Sequence, residues 1–304
     1  MEEYHNPVLL KESIDALGIK PNGVYVDVTF GGGGHSREIL SRLGPDGKLF
    51  AFDQDPDAQR NRIDDSRFVL IQENFRYISR FLRFYGILKV DGILGDLGVS
   101  SHQFNEADRG FSTRFDADLD MRMNKTDVLS AYTVVNTYSE ERLSDVLFQY
   151  GELRNARALA AKISEERKIE KIVTSFRLKE VLKQFLPQAK EHKILAQIFQ
   201  AIRIEVNQEL EVLKEFLLQA PKMLNSSGRL SVISYHSLED RLVKRFIKNG
   251  LFEGEPEKDF YGNIDVPLKN VGKMIIPTRE EIKINNRARS AKLRIAVLKE
   301  VKKK

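Results

Sequence analysis

The stretch Val24–Ser36, VYVDVTFGGGGHS, joins a β-rich run that contains Asp27 to four consecutive glycines. Glycine costs roughly 0.5–1 kcal/mol relative to alanine inside a regular element. Four in a row therefore indicate an unusually tight turn or the close approach of a ligand to the backbone. A glycine turn between a strand and a helix also presents free N–H groups at the helix N-terminus, where negative charge is favoured.

The glycine spacing resembles a dinucleotide-binding pattern but does not complete it. Gly31 and Gly33 occupy its first two positions, and Ser36 stands at the third. Asp53 ends the next β-like run, twenty residues after Gly33. An acid at that place can accept hydrogen bonds from both hydroxyls of an adenosine ribose. Asp55 is the alternative candidate for this ribose contact. The alternative without any ligand is a plain strand-to-helix turn, with an acid that caps the helix.

Asp27 narrows the choice of cofactor. A carboxylate just before the glycine turn suits a cofactor with an amino-acid part, because its ammonium group needs an acceptor. The pair Asp27 and Asp53 therefore favours S-adenosylmethionine over NAD. Ser36, in place of the third glycine, argues against an NAD-dependent oxidoreductase on the same kind of sheet.

The elements that must position these residues alternate between two periods. Short β-like runs are separated by helical patterns, which predicts a parallel sheet with right-handed crossovers. The runs are Val24–Phe30, Lys48–Asp53, Arg67–Ile71 and Val90–Asp96. Ligands of such sheets bind outside the carboxyl ends of the strands. Asp96 closes the fourth run, so it is expected to accept a hydrogen bond from the cofactor ammonium or from a substrate amine.

A fifth run, Arg229–Tyr235, is followed by the helical pattern that begins at Ser237. Tyr235 and His236 are therefore further catalytic candidates at a strand end, although His236 also suits a buried structural role. Ser237 and Asp240 have the spacing of a capping box. Five histidines without any cysteine predict no metal site.

Substrate contacts are expected from two further places. The loop-like stretch Ser101–Asp127 is predicted to carry Arg109, Phe111 and Arg122 over the active site. A long helix is predicted from about Ile194, with one apolar stripe: Leu195, Ile198, Ile202, Val206, Leu210, Leu213 and Leu217. On its opposite face Gln200, Arg203 and Asn207 form a row that could contact phosphates or bases, or be an ordinary polar face.

The 304 residues carry a net charge of +5 that is unevenly distributed. Arg279–Lys304 holds ten basic and three acidic residues, 10 − 3 = +7, and makes Arg287 and Arg289 candidates for binding a polyanion. The absence of cysteine, of a signal peptide and of a long apolar run predicts a cytoplasmic protein without a membrane span. We expect an α/β domain from 1–104 and 220–304, interrupted by a helical domain at 105–219.

Six motifs in order resemble the bacterial 16S ribosomal RNA cytosine-N4-methyltransferases. They are TFGGGGHS, DGILGDLGVSS, DRGFS with LDMRM, FQAIRIEVNQEL, SYHSLEDRLVKRF and NNRARSAKLRIA, between Pro7 and Ala296. The resemblance implies a Rossmann-like class I methyltransferase sheet with an inserted helical domain for substrate recognition. It also implies S-adenosylmethionine as cofactor and cytosine 1402 of the small ribosomal subunit as target. The implied cofactor residues are Gly33, Gly34, His35, Asp53, Phe75, Asp96 and Gln103, with Phe75 beside the adenine.

The same motifs are compatible with two other functions. A non-catalytic RNA-binding assembly factor would keep the fold, and a DNA cytosine-N4 methyltransferase would share the chemistry. The aromatic residue that stacks on the target base is unassigned among Tyr235, Phe104 and Phe111. The sequence does not decide between a monomer and a homodimer.

Overall fold

The computed structural model describes residues 7–262 and 264–299. Within these ranges, one sheet of seven strands has the order β3-β2-β1-β4-β5-β7-β6. The strands are β1 Val24–Asp27, β2 Lys48–Phe52, β3 Phe68–Ile71, β4 Val90–Asp96, β5 Leu224–Ser234, β6 Leu268–Asn270 and β7 Lys292–Leu298.

Strands β1 to β5 run parallel, and β7 is antiparallel to both of its neighbours. The chain moves outward from β1 through β2 to β3 and then returns to the other side of β1 as β4. Such a reversal of strand order opens a crevice at the carboxyl ends of the strands. The fold is therefore a Rossmann-like α/β fold, as the sequence predicts, and Asp27 and Asp96 end the two strands that flank the reversal.

The chain divides into two compact units, 1–98 with 211–304, and 99–210. The first unit contains the sheet and the helices α1 Leu10–Leu17, α2 Gly34–Arg42, α3 Ile78–Phe84, most of α10 Glu209–Met223, α11 Ser237–Asn249 and α12 Arg279–Ile284. The second contains α4 Ser101–Asn105, α5 Ala131–Thr137, α6 Glu140–Gln149, α7 Ala156–Ile169, α8 Ser175–Val181 and α9 Glu191–Asn207. Its core is a cluster of side chains from α5 to α9 and the segment before them.

The predicted single long helix is wrong. Gln208 lies between α9 and α10 with φ at +51°, in the left-handed region, and ends the first helix. The apolar stripe of α9 packs into the helical core, whereas Leu213 and Leu217 of α10 pack beneath the sheet. For that reason residues 211–219 group with the sheet unit instead of the predicted insertion.

Smaller differences also have local causes. Helix α1 was not predicted, because it is short and lies in a stretch without an extended apolar period. Strand β5 begins at Leu224, five residues before the predicted Arg229, with an irregular register opposite Val90 and Gly92.

Glu300 and Lys302–Lys304 of the basic segment lie outside the described residues. No helix in the described ranges is long and apolar enough to cross a bilayer.

Candidate active site at the carboxyl edge of the sheet

The glycine turn connects β1 to α2, and its glycines serve different purposes. Gly31 and Gly33 have φ of +50° and +75°, a region that side chains rarely adopt. A Cβ on Gly34 would lie 2.2 Å from Cγ of Pro7, so close packing requires glycine there. A Cβ on Gly32 would meet no atom of the described residues within 4 Å. Gly32 therefore exposes backbone to open space, where a ligand can approach.

Asp27 fixes this turn from below. Its Oδ1 accepts a hydrogen bond from the Thr29 N–H at 3.1 Å, and its Oδ2 accepts one from the Ser36 hydroxyl at 2.7 Å. The residue is 1% exposed, and burial raises the pKa of its carboxyl. The sequence predicts a direct contact of Asp27 with the cofactor. In the structure, both oxygens of its carboxylate already accept hydrogen bonds from within the turn. The structure gives Asp27 a positioning role.

Asp53 lies directly after β2 and reaches back to the glycine turn. Its Oδ2 accepts a hydrogen bond from Gly31 N–H at 2.8 Å, and its Oδ1 accepts one from Asp55 N–H at 2.9 Å. An ionised carboxylate offers about four acceptor positions, so two remain for the hydroxyls of a ribose. The donor requirements of an adenosine cofactor thus fit this side chain. Asp55, the alternative candidate, instead caps the 3₁₀ turn Pro56–Asn61 through Asp57 N–H.

Asp96 ends β4 and is held on two sides. Its backbone N–H donates to Oγ1 of Thr29 at 2.6 Å, which connects β4 to the glycine turn. Its Oδ1 accepts a hydrogen bond of 2.7 Å from the Tyr235 hydroxyl at the end of β5. Within the described ranges, its Oδ2 makes no hydrogen bond. One oxygen of a fixed carboxylate is therefore available to a ligand.

His35 approaches that second oxygen. Its Nδ1 is 3.9 Å from Oδ2 of Asp96, and its Nε2 is 3.2 Å from the carbonyl oxygen of Val8. A carbonyl only accepts, so the Nε2 atom carries the hydrogen in this bond. Burial lowers the pKa of His35, which is 5% exposed. A neutral imidazole thus forms one wall beside Asp96.

The site attracts positive charge. Burial raises the pKa of Asp53 to about 6, and the charges of Asp55 and Asp27 act in the same direction. Burial likewise raises the pKa of Asp96 to about 6, opposed by His35 and by the Tyr235 hydrogen bond. A cation that binds beside a buried carboxylate favours its charged form. A cofactor with a sulfonium and an ammonium group meets this requirement.

Phe75 begins the 3₁₀ turn Phe75–Tyr77 after β3 and packs edge-on against Phe216, with ring centroids 5.5 Å apart. The side-chain amide of the preceding Asn74 donates to Gln54 at 2.7 Å. This bond ties the loop after β3 to the loop after β2, next to Asp53. Contact of Phe75 with an adenine stays a prediction.

His236 is the N-cap of α11, and this corrects the predicted capping box of Ser237 and Asp240. The box is formed by His236 and Glu239. Nδ1 of His236 accepts from Glu239 N–H at 3.4 Å, and Nε2 lies 3.1 Å from Oε1 of Glu239. Both ring nitrogens thus face Glu239, which argues for a structural role of His236. Asp240 instead pairs with Arg294 at 2.7 Å.

In the unit 99–210, the candidate substrate residues are engaged internally. Arg109 is 3% exposed and donates to the carbonyl oxygens of Arg122 and Met123. Phe111 is 6% exposed and belongs to the helical core. Arg122 pairs with Asp120 at 2.7 Å. The expectation of a loop that presents Arg109 and Phe111 to substrate is wrong for this structure, because the loop folds these side chains inward.

Gln103, implied by resemblance for the cofactor site, also lies in this unit. It is 4% exposed, and its Oε1 accepts from Ser100 N–H at 3.0 Å in the capping box of α4. The proposed stacking residue Phe104 follows it on the same helix and is partly buried. A role of Gln103 toward cofactor stays a prediction.

The polar row on α9 is likewise structural. Arg203 forms a two-pronged ion pair with Glu209 at 2.7 and 2.9 Å. Asn207 is 7% exposed, accepts from Met123 N–H at 2.7 Å and donates to the Met121 carbonyl oxygen at 2.8 Å. Gln200 donates to the Tyr150 carbonyl oxygen. These bonds attach α9 to its neighbours. They favour the second of the two alternatives, an ordinary polar face of the helix.

Arg287 and Arg289 lie in the 3₁₀ turn Asn286–Ser290, just before β7. Arg289 is exposed, whereas Arg287 is partly buried. Three residues that sequence reasoning missed complete the site: Thr29, Ser36 as a partner of Asp27, and Glu239. The Asp-x-Thr spacing before the glycines was the available signal for Thr29, since an aspartate often bonds the backbone two residues on.

The sheet is Rossmann-like, the glycine turn has one open glycine, and acids lie at the ends of the neighbouring strands β2, β1 and β4. These features are typical of enzymes that bind a nucleoside cofactor. The chain belongs to the MraW methylase family, which it matches over residues 2–299. It is therefore a methyltransferase, and its methyl donor is S-adenosylmethionine.

Relatives extend this similarity over nearly the full length. The chain is 70% identical to "Ribosomal RNA small subunit methyltransferase H" of Christiangramia forsetii, over 97% of this chain and 97% of the relative. Proteins of the same name from Flavobacterium johnsoniae and Bacteroides fragilis are 69% and 57% identical. They cover 97% and 96% of this chain, and 97% of each relative is matched.

Proposed function

We propose that this protein transfers a methyl group from S-adenosylmethionine to the exocyclic N4 amine of a cytosine, C1402, in 16S rRNA of the small ribosomal subunit. It would act in the cytoplasm, with the unit 99–210 recognising the substrate. The names of the relatives support small-subunit rRNA as the substrate. The observation that carries the chemistry is the carboxylate of Asp96, whose Oδ1 accepts from Tyr235 and whose Oδ2 makes no hydrogen bond within the described ranges.

The cofactor would lie along the carboxyl edge of the sheet. The backbone at Gly32 gives it room, Asp53 accepts from the ribose hydroxyls, and Phe75 packs beside the adenine. When bound, S-adenosylmethionine supplies a methyl group activated by the sulfonium. Asp27 keeps the turn in shape through Thr29 and Ser36.

Asp96 would orient the acceptor amine. The lone pair of a cytosine amine is delocalised into the ring, so the amine is a weak nucleophile. A hydrogen bond from the amine to Oδ2 of Asp96 localises that lone pair and aligns it for in-line transfer. As the new N–C bond forms and the S–C bond breaks, the amine becomes more acidic and releases one proton. Asp96, with its pKa raised to about 6, can take that proton directly or pass it to water.

The base must leave its stack to reach this edge, which costs a few kcal/mol. Single-stranded RNA reduces this cost and lets an aromatic side chain contact the base. Phe104 and Phe111 belong to the unit 99–210, and Phe111 is buried in its core. Tyr235, which bonds to Asp96, is therefore the better placed candidate.

The test is mass spectrometry of 16S rRNA from a strain that lacks the gene. We expect N4-methylcytidine at C1402 to be absent and to return with the wild-type gene but not with Asp96→Asn. Asp64→Asn, an exposed acid on the loop before β3, is the matched control and should restore methylation. Unchanged methylation at C1402 in the deletion strain would refute the proposed target.

A further inference from the structure

A cleft of about 310 Å³ lies beside Tyr235, within the sheet unit. One wall is the turn between β5 and α11, and the other is the segment that leads from residue 276 through α12 to β7. Ligand pockets have volumes of roughly 300–1,000 Å³, so this cleft has room for one small group and not for a dinucleotide. The residues that matter here are Tyr235, Ser237, Ile276, Pro277, Ile282 and Arg289.

The wall formed by the segment from residue 276 to β7 carries two kinds of side chain. Ile276, Pro277 and Ile282 form an apolar side, and Ile276 is 61% exposed. Arg289 lies on the same wall, supplies a cation and makes no ion pair or hydrogen bond within residues 7–262 and 264–299. The neighbouring cation Lys292 is instead held by Asp240 at 3.3 Å. The cleft thus combines an apolar surface with one available guanidinium, which suits a nucleotide with its phosphate.

Both walls are fixed before any ligand binds. Oε2 of the buried Glu239 accepts from the backbone N–H of Tyr235 at 2.9 Å and of His236 at 3.3 Å. On the other side, Ala288 and Ala291 are buried in a cluster beside β5 and hold the turn that carries Arg289. A preformed site loses less entropy on binding than one that must order itself.

Tyr235 connects this cleft to the reacting centre. Its side chain lines the cleft, and its hydroxyl donates to Asp96 at 2.7 Å. We propose that the cleft binds the nucleotide next to the methylated base in the RNA strand, with its phosphate on Arg289 and its base or ribose against Ile276. This inference rests on the proposed function, since it requires an RNA strand whose target base lies at Asp96.

Two assays separate this inference from the function on which it rests. The first measures methylation of unmethylated small ribosomal subunits with radiolabelled S-adenosylmethionine, together with the calorimetric affinity for the cofactor. Arg289→Ser should raise the subunit concentration for half-maximal rate roughly tenfold, as expected for a lost charged contact. Ile276→Asp should act in the same direction, because it replaces the apolar contact with the base or ribose by a negative charge that repels the RNA strand. Cofactor affinity should not change in either variant.

The second assay measures binding of a fluorescent single-stranded oligocytidylate at several KCl concentrations. Arg289→Ser should reduce the slope of log affinity against log salt by about 1, and Arg289→Lys should keep it. Arg83→Ser is the matched control, an exposed arginine of α3 near the amino ends of the strands, and should change nothing.

Suppose that the wild-type protein methylates subunits, and that Arg289→Ser and Ile276→Asp both keep the wild-type affinity, salt slope and half-maximal concentration. That result would overturn the cleft assignment. A wild-type protein that binds cofactor but methylates no subunits would instead refute the proposed function.

Discussion

The hydroxyl of Tyr235 donates a hydrogen bond of 2.7 Å to Oδ1 of Asp96, across 139 positions of sequence. The two residues meet because β4 and β5 are parallel neighbours, with Asp96 opposite Ile233 in the register. Burial raises the pKa of Tyr235 well above its ordinary value, so the phenol stays protonated and acts as a donor. This bond fixes one carboxylate oxygen, and within the described ranges the other makes no hydrogen bond.

Replacing this phenol should change the pH dependence of turnover. In Tyr235→Phe the ionised form of Asp96 loses a hydrogen bond, which is worth roughly 1.5–3 kcal/mol for a charged group. The pKa of Asp96 should then rise above about 6 by one unit or more. We expect turnover near pH 6.5 to fall about tenfold, and the acidic limb of the profile to move upward. Tyr85→Phe, on the exposed end of α3, should leave the profile unchanged, and a Tyr235→Phe profile equal to that of wild type would contradict this coupling.

Cofactor binding should depend on pH through Asp53 and Asp96. Both carboxyls have a pKa raised to about 6 in the folded protein, above the ordinary 3.8. The folded state therefore holds these protons more tightly than the unfolded state, and the resulting stability is present below pH 4 and lost as the pH rises through 6. A cationic cofactor needs the ionised carboxylates, so its affinity should increase over the same interval.

Thermal unfolding at pH 5, 6 and 7 measures both effects. The rise in Tm produced by a fixed concentration of S-adenosylmethionine should be smallest at pH 5 and largest at pH 7. Asp96→Asn should reduce this dependence, because it removes one of the two titrating groups. An equal shift of Tm at pH 5 and pH 7 in the wild-type protein would show that these carboxyls do not face the bound cation.

Adjacent glycines should respond differently to the same substitution. Gly33→Ala places a side chain at φ +75°, with its Cβ 2.9 Å from the Phe30 ring, and should lower the free energy of unfolding by at least about 1–2 kcal/mol. Gly32→Ala meets open space, so stability should change by less than about 0.5 kcal/mol. Its cofactor affinity should nevertheless fall tenfold or more in calorimetry, because the methyl group occupies the approach to the backbone. Unchanged affinity in Gly32→Ala would show that no ligand comes close there.

Asn207 should matter for stability and not for substrate binding. Asn207→Ala leaves Met123 N–H and the Met121 carbonyl oxygen without their buried partner. Each orphaned group costs roughly 1–3 kcal/mol, so we expect the two together to cost about 2–6 kcal/mol in denaturant unfolding. Lys193→Ala, on an exposed position of the same helix, is the control. A stable Asn207→Ala protein with weakened binding of ribosomal subunits would restore the predicted substrate role.

Strand-end residues were predictable because topology alone brings them together. Once alternating strands and helices indicate a parallel sheet, its carboxyl ends share one edge, and Asp53 and Asp96 must lie there. The glycine turn was also predictable, because four consecutive glycines directly follow a β-like run. The hydrogen bonds that fix the edge were not, since Thr29 and Glu239 act through backbone groups whose directions depend on the folded turn.

The helical unit was harder to predict at the level of side chains. A polar row on a helix has the same spacing whether it faces solvent, RNA or a neighbouring segment. Arg203 and Asn207 face neighbouring segments, and Arg109 is drawn into the interior by carbonyl oxygens that no sequence pattern marks. The apolar stripe from α9 to α10 looked continuous because the left-handed residue that ends α9 is a glutamine, Gln208. A glycine at that position would have indicated the end of a helix.

The most direct test of the central claim is a crystal structure of the protein with S-adenosylhomocysteine. The ribose hydroxyls should lie within hydrogen-bonding distance of Asp53, the ligand should pass over Gly32, and Oδ2 of Asp96 should face the sulfur side of the ligand. A ligand bound away from the glycine turn, with Asp53 and Asp96 unchanged in their contacts, would contradict the account.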